Sequence, residues 1–190
     1  MKKLKRYRRL LIAGAGILLV LLVLIFGFRG CGVSHKSPEG VVKSLIKAYG
    51  KGSQSKIRSC YGVKKADEDL QKEIDATISY IEAHNTKEVE IEECDVLSEN
   101  KDYTYVYITY HLIQEDKQEY PCISTYMTEK KDGKYYVIST ANVTDEMRQE
   151  AAEDYKKFMT TNIYKNYVRE YDTFTKKNPG YEEKIAGKLS

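Results

Sequence analysis

Hydrophobic and polar positions fall into four stretches with different rhythms. The first, Leu10 to Phe28, is 19 residues without a charge or a strong polar group. A helix rises about 1.5 Å per residue, so about 20 apolar residues cross a hydrocarbon core of about 30 Å. The run predicts a transmembrane helix over 10–28. After it, Val41, Val42, Leu45, Ile46 and Tyr49 recur at helical spacing behind Ser37-Pro38-Glu39, a capping residue, a first-turn proline and an acid suited to the helix dipole. Gly50 and Gly52 end that helix. A short second helix is expected over Ser53–Tyr61, with Ile57, Cys60 and Tyr61 inward. A third is expected from Asp67 to His84 on the stripe Leu70, Ile74, Ile78, Ile81, stopped by Asn85.

The period then changes from about four to two. In "KEVEIEECDVLS", Val89 and Ile91 alternate with glutamates before the apolar parity flips to Cys94 and Val96, which predicts a bulge near Glu92–Glu93. "DYTYVYITYHLI" is a β-branched and aromatic strand. "EYPCISTYMTEK" is a third, with Pro121 near its start, and "KKDGKYYVIST" follows through Asp132-Gly133, a favoured two-residue hairpin turn. Four consecutive strands with short connections imply one curved antiparallel sheet. The last stretch returns to helical spacing. Met147, Ala151, Tyr155 and Phe158, then Ile163, Tyr167, Tyr171 and Phe174, mark one face of a long amphipathic helix capped by Thr144. Thr160–Asn162 is its weak point, Asn178-Pro179-Gly180 ends it, and Tyr181, Ile185 and Leu189 suggest a short closing helix.

Charge adds orientation. Lys2, Lys3, Lys5, Arg6, Arg8 and Arg9 precede the apolar run, and the first acidic residue is Glu39. Positive flanks stay cytoplasmic, so residues 1–9 form an inner tail and the main domain is extracytoplasmic. The whole chain carries +3, yet from Gly30 onward 28 acidic residues outnumber 24 basic ones. That balance excludes a broad phosphate-binding face, and no nucleic-acid partner is expected. Cys31 raises a lipoprotein alternative. The residues before it are Phe28, Arg29 and Gly30, and an arginine is costly to bury where a lipoprotein peptidase would cut. The expectation is an uncleaved anchor, a tether over residues 29–36, and a folded domain starting at Ser37.

Two stretches carry a family resemblance. "SPEGVVKSLIKAYGKGSQSKIRSCYG" resembles the opening helix, glycine break and second helix of the nuclear-transport-factor-2-like (NTF2-like) superfamily, and "EKKDGKYYVIS" its penultimate hairpin, with Tyr135 where a tryptophan is common. The resemblance spans roughly residues 37–140 and implies an α+β fold: a cone of three helices on a curved four-stranded antiparallel sheet over 37–143. Residues 144–190 are then a helical extension that the basic fold does not need. The composition, rich in Lys and Tyr and poor in Pro, is similar to that of anchored domains from low-GC Gram-positive bacteria.

Chemistry is sparse. His35, His84 and His111 lack metal-motif spacing, no nucleophile, phosphate or dinucleotide motif is present, and no cofactor or metal is expected. The acidic run from Glu88 to Asp95 reads as a solvated strand face. Cys60, Cys94 and Cys122 fall inside elements, where buried free cysteine is an ordinary apolar residue. If a disulfide forms, Cys94–Cys122 is the expected pair, since both sit on strands of one sheet. The excess of tyrosine, 17 residues, is the strongest pointer to binding. Tyr103, Tyr105, Tyr107 and His111 share one face of the second strand, opposite Val106, Ile108, Tyr110 and Leu112. That face needs a cover, either the C-terminal helix or a second protein. Tyr103, Tyr105, Tyr107, His111 and Tyr126 are therefore the candidate ligand- or partner-binding residues. The reading is a single-pass, non-enzymatic binding or assembly module of the cell membrane. It would engage an envelope protein, another copy of itself or a small apolar ligand. One alternative is suggested by resemblance to the membrane assembly subunit of type IV secretion and conjugation machines. Another is a pocket enzyme of the isomerase or dehydratase type using His111 and a tyrosine.

Overall fold

The computed structural model describes residues 32–190. The basic tail, the 10–28 span and Cys31 lie outside the described residues. Among the described residues no helix is long and apolar enough to cross a membrane. The folded unit begins at Val33, four residues before the expected start at Ser37. Val33 packs on the core. The backbone N–H of Tyr135 donates to the carbonyl of His35 at 3.0 Å, and Nδ1 of His35 lies 2.8 Å from the carbonyl of Tyr135. Residues 33–36 are thus fastened to the sheet and do not form a free tether.

Three helices come first: α1 Pro38–Tyr49, α2 Gln54–Cys60 and α3 Glu68–Ala83. The Ser37 hydroxyl accepts from the N–H of Gly40 and the Asp67 carboxylate from that of Leu70, so both predicted starts are capped by side chains. Each helix turns its apolar stripe to one core: Val41, Val42, Leu45 and Ile46 from α1, Ile57 from α2, Ile74 from α3, all at or near zero exposure. Gly50 follows α1 where the sheet comes closest. A Cβ there would overlap Cγ2 of Val89, so no larger residue fits without moving the strand.

The sheet has the order β1 Thr86–Glu99, β2 Thr104–Gln114, β3 Glu119–Lys131 and β4 Lys134–Val137, all neighbours antiparallel. The expected bulge is present between Ile91 and Glu93, with further register shifts between Thr86 and Glu88 and between Val96 and Ser98. Asp132 and Gly133 have φ of 51° and 75°, the left-handed pair that a tight hairpin turn requires. β4 ends at Val137, short of the expected Thr140. A 3-10 turn, Thr140–Asn142, follows it. Opposed residues share a face, so register sorts the side chains. Val106, Ile108, Tyr110 and Leu112 face α1–α3 in the main core, with Cys94 and Cys122 beside them. Tyr105, Tyr107, Thr109 and His111 face the other way.

The expected long C-terminal helix is two, α4 Asp145–Phe158 and α5 Asn162–Lys177, and the expected short closing helix is α6 Tyr181–Leu189. The break is at the predicted weak point. The Thr160 and Thr161 hydroxyls donate to the carbonyls of Lys157 and Phe158, both at 2.7 Å. Thr161 also caps α5 by accepting from the N–H of Tyr164. α4 lies over the outer sheet face, where Ala151 packs with Tyr103, Tyr105 and Met127, and the Tyr107 ring sits 4.6 Å from that of Phe158. α5 packs against β3, and Phe174 meets the Tyr120 ring edge-on at 5.1 Å. α6 returns to α3, with the Lys188 ammonium donating to the carbonyl of Ala83 at 2.6 Å.

Candidate functional site: a histidine between two glutamates

The candidate residues do not form one surface. Tyr103, Tyr105 and Tyr107 are only 5%, 7% and 4% exposed. Their hydroxyls donate to Glu150 at 2.9 Å, Thr125 at 2.9 Å and Glu93 at 2.8 Å. The cover that the apolar face demanded is the chain's own α4. These tyrosines are packing residues, which corrects the expectation of a partner face. Tyr126 lies opposite Val106 and so faces the inner core, on the other side of the sheet from the remaining candidates.

The inner face is lined by further tyrosines. The Tyr49 and Tyr61 hydroxyls are 3.1 Å apart, and Tyr61 donates to Glu73 at 2.6 Å. The other oxygen of Glu73 accepts from the N–H and the hydroxyl of Thr140 at 2.9 and 2.8 Å. Burial raises the Tyr49 hydroxyl to about 12 and holds that of Tyr110 well above its ordinary value. These hydroxyls stay neutral at physiological pH. They behave as hydrogen-bonded core and not as proton carriers.

Among the described residues the cysteines, Cys60, Cys94 and Cys122, are free. Cys94 pairs in register with Ile108 and Cys122 with Tyr110, so β2 lies between them. Two strand spacings are about 9.6 Å, beyond the roughly 7 Å a disulfide spans. Cys94–Cys122, the pair named in case a disulfide formed, is therefore not bonded, and both residues are buried free cysteines. Burial pushes all three thiols up to about 12, which removes them as nucleophiles.

His111 is different. It faces away from α1–α3, so it cannot serve as the base in the mouth of the cone that the enzyme alternative needed, and none of the strand tyrosines is its partner. Two carboxylates are. Glu92 occupies the bulge, the extra residue between Ile91 and Glu93 that pairs with nothing on β2, and its Oε1 stands 3.7 Å from Nδ1 of His111. Glu170 comes from α5, with Oε2 at 3.4 Å from Nε2. The imidazole is 14% exposed and each carboxylate side chain 44%. Both glutamates line two adjoining clefts. The larger, about 630 Å³, is bordered by Lys117, Arg169, Lys177 and Phe174. The smaller, about 280 Å³, runs toward Thr109 and Tyr167.

His111 was legible from the sequence. Its partners were not, although the alternation of Val89 and Ile91 with Glu88, Glu90 and Glu92 is the signal that puts Glu92 on this face. His84 was also passed over. It is 1% exposed, ringed by Tyr80, Tyr120 and Tyr181 at centroid distances of 4.6, 4.2 and 5.5 Å, and its Nδ1 meets the Tyr181 hydroxyl. It fastens α6 at the edge of a cleft of about 370 Å³ that Gln114 and Tyr181 also line.

No family model matches the chain, and no curated protein does. Among solved structures the chain is similar to a Campylobacter jejuni protein described as an NTF2-like transpeptidase, at 20% identity over 55% of this chain and 99% of that one, with a TM-score of 0.36. A likeness this distant carries no argument about activity. What the molecule itself displays is an α+β domain with three leading helices, a four-stranded antiparallel sheet in sequential order and a wrapped helical extension. This arrangement is consistent with the NTF2-like architecture expected from the sequence.

Proposed function

We propose that this chain is a membrane-anchored, extracytoplasmic binding module without enzymatic activity, and that its binding site is the cleft between the sheet and α5. The observation that carries this reading is the composition of the cleft. His111, Glu92 and Glu170 converge at its floor, and Lys117, Arg169 and Lys177 border it. Both signs of charge within one groove suit a polar peptide segment of an envelope protein better than an apolar ligand. The inner face supports the same assignment, because its tyrosines bond to one another and to Glu73. The anchor rests on the 10–28 run and its basic flank. Buried thiols and the lack of a nucleophile motif support the absence of enzymatic activity.

A photo-crosslinking residue at Thr173, in the cleft, compared with one at Val63 on the α2–α3 loop, tests this in cells. The reading expects a discrete protein adduct at Thr173 and none at Val63. Equal adducts at both positions, or none at Thr173, would overturn it. A second reading, acid–base catalysis, is favoured by one observation: an imidazole flanked by two carboxylates. An unchanged phenotype for His111→Ala would remove it.

A further inference from the structure

The cluster at the floor of the cleft has a second property. Neither Glu92 nor Glu170 has a lysine or arginine within 4.0 Å among the described ion pairs; the side chain that each of them faces is the His111 imidazole. Two carboxylates are thus brought to one imidazole from the β1 bulge, β2 and α5, and each of the three residues offers one ligand atom within 4.8 Å of the others. We infer that Glu92, His111 and Glu170 form a binding site for one divalent first-row metal ion, of the zinc or manganese class, which staples α5 to the sheet.

The donor set fits that class. Imidazole suits zinc and its neighbours, carboxylate suits the harder end of the series, and a mixed nitrogen–oxygen set takes zinc or manganese. Metal–ligand bonds of about 2.0–2.2 Å place tetrahedral ligand atoms about 3.4 Å apart. One ion takes one ring nitrogen: Glu170 Oε2 already stands 3.4 Å from Nε2 of His111, and Glu92, whose carboxylate lies beside Nδ1, turns toward Nε2 to complete the set, its ligand atom starting within 4.8 Å of the other two. Three protein ligands leave at least one position open toward the cleft. The ion would neutralise the paired carboxylates. It would also join the extension to the sheet at the bulge, where Glu92 has no partner on β2.

This inference concerns the same cleft as the proposed binding reading without depending on it. Metal binding is measured on the isolated chain and partner capture in cells, so either can fail alone. The test is calorimetric titration of the purified, tag-free, full-length chain in detergent with zinc chloride and with manganese chloride. The expected result is one ion per chain and a melting temperature that rises with metal. His111→Ala, Glu92→Gln and Glu170→Gln should each weaken binding about tenfold or more, while Glu88→Gln, an acid on β1 opposite Ile113, leaves it unchanged. Circular dichroism of the metal-free variants verifies that they fold. Binding no tighter than millimolar for both metals overturns the site. So does a loss in Glu88→Gln equal to that in Glu92→Gln, which would mean diffuse attraction to an acidic strand.

Discussion

The hydroxyl of Tyr181 stands 2.7 Å from Nδ1 of His84, across 97 positions of chain. Gln114 donates to the same hydroxyl at 2.8 Å, while Nε2 of His84 is buried without a partner. One oxygen thereby ties α6 to both α3 and β2. Tyr181→Phe keeps the ring and strands two buried polar groups. The expected loss is about 1–3 kcal/mol of stability, read by chemical denaturation, together with faster amide exchange throughout α6. A variant as stable as the parent would show that the contact is idle.

The same histidine sets a pH response. Burial lowers its pKa from 6.5 to about 4, with Glu182 opposing the shift and Lys188 adding to it. In the unfolded chain His84 takes its proton near its ordinary value, so between those limits the unfolded state binds more protons. Stability from this residue is complete above about pH 6.5 and declines as pH falls toward 4, by roughly 3 kcal/mol in all. Denaturation midpoints measured across that range should fall more steeply for the parent than for His84→Gln. Parallel slopes would count against a neutral buried imidazole.

Phe158 closes α4, is 3% exposed and lies against Tyr107. Phe158→Ala should cost about 3–5 kcal/mol, and it should raise solvent quenching of tyrosine fluorescence as the outer sheet face opens. A cost below about 1 kcal/mol would mean that α4 is held by its other contacts.

Much of this architecture could be read from local signals. The Ser37 and Asp67 caps, the Asp132-Gly133 turn and the Glu92 bulge each depend on a few adjacent residues, and each was legible. The threonine break at 160–161 was visible only as a weak point, because an amphipathic stripe continues through it from Phe158 to Ile163. The site was half legible. His111 announced itself as a lone histidine among tyrosines, but Glu170 is unremarkable on its helix until α5 folds back onto the sheet. The tyrosine face was read correctly as apolar and in need of a cover. Which chain supplies that cover is a tertiary fact, and periodicity alone does not contain it. The cysteines read correctly as buried free residues, but the pair named in case a bond formed was wrong for a related reason: strand membership was right, and adjacency requires the sheet order.

The wrap of α4, α5 and α6 over the sheet also sets a schedule for making the protein. Helices and strands from Pro38 to Val137 leave the ribosome before α4, α5 and α6 and can assemble their core from nearby neighbours. The residues that shield Tyr103, Tyr105 and Tyr107, and those that reach back to His84, are synthesised after them. Until then a nascent chain presents a flat aromatic sheet surface to anything around it. Premature termination near Val143 would leave that surface permanently bare, so such fragments should be sticky substrates for holding chaperones and for proteolytic quality control.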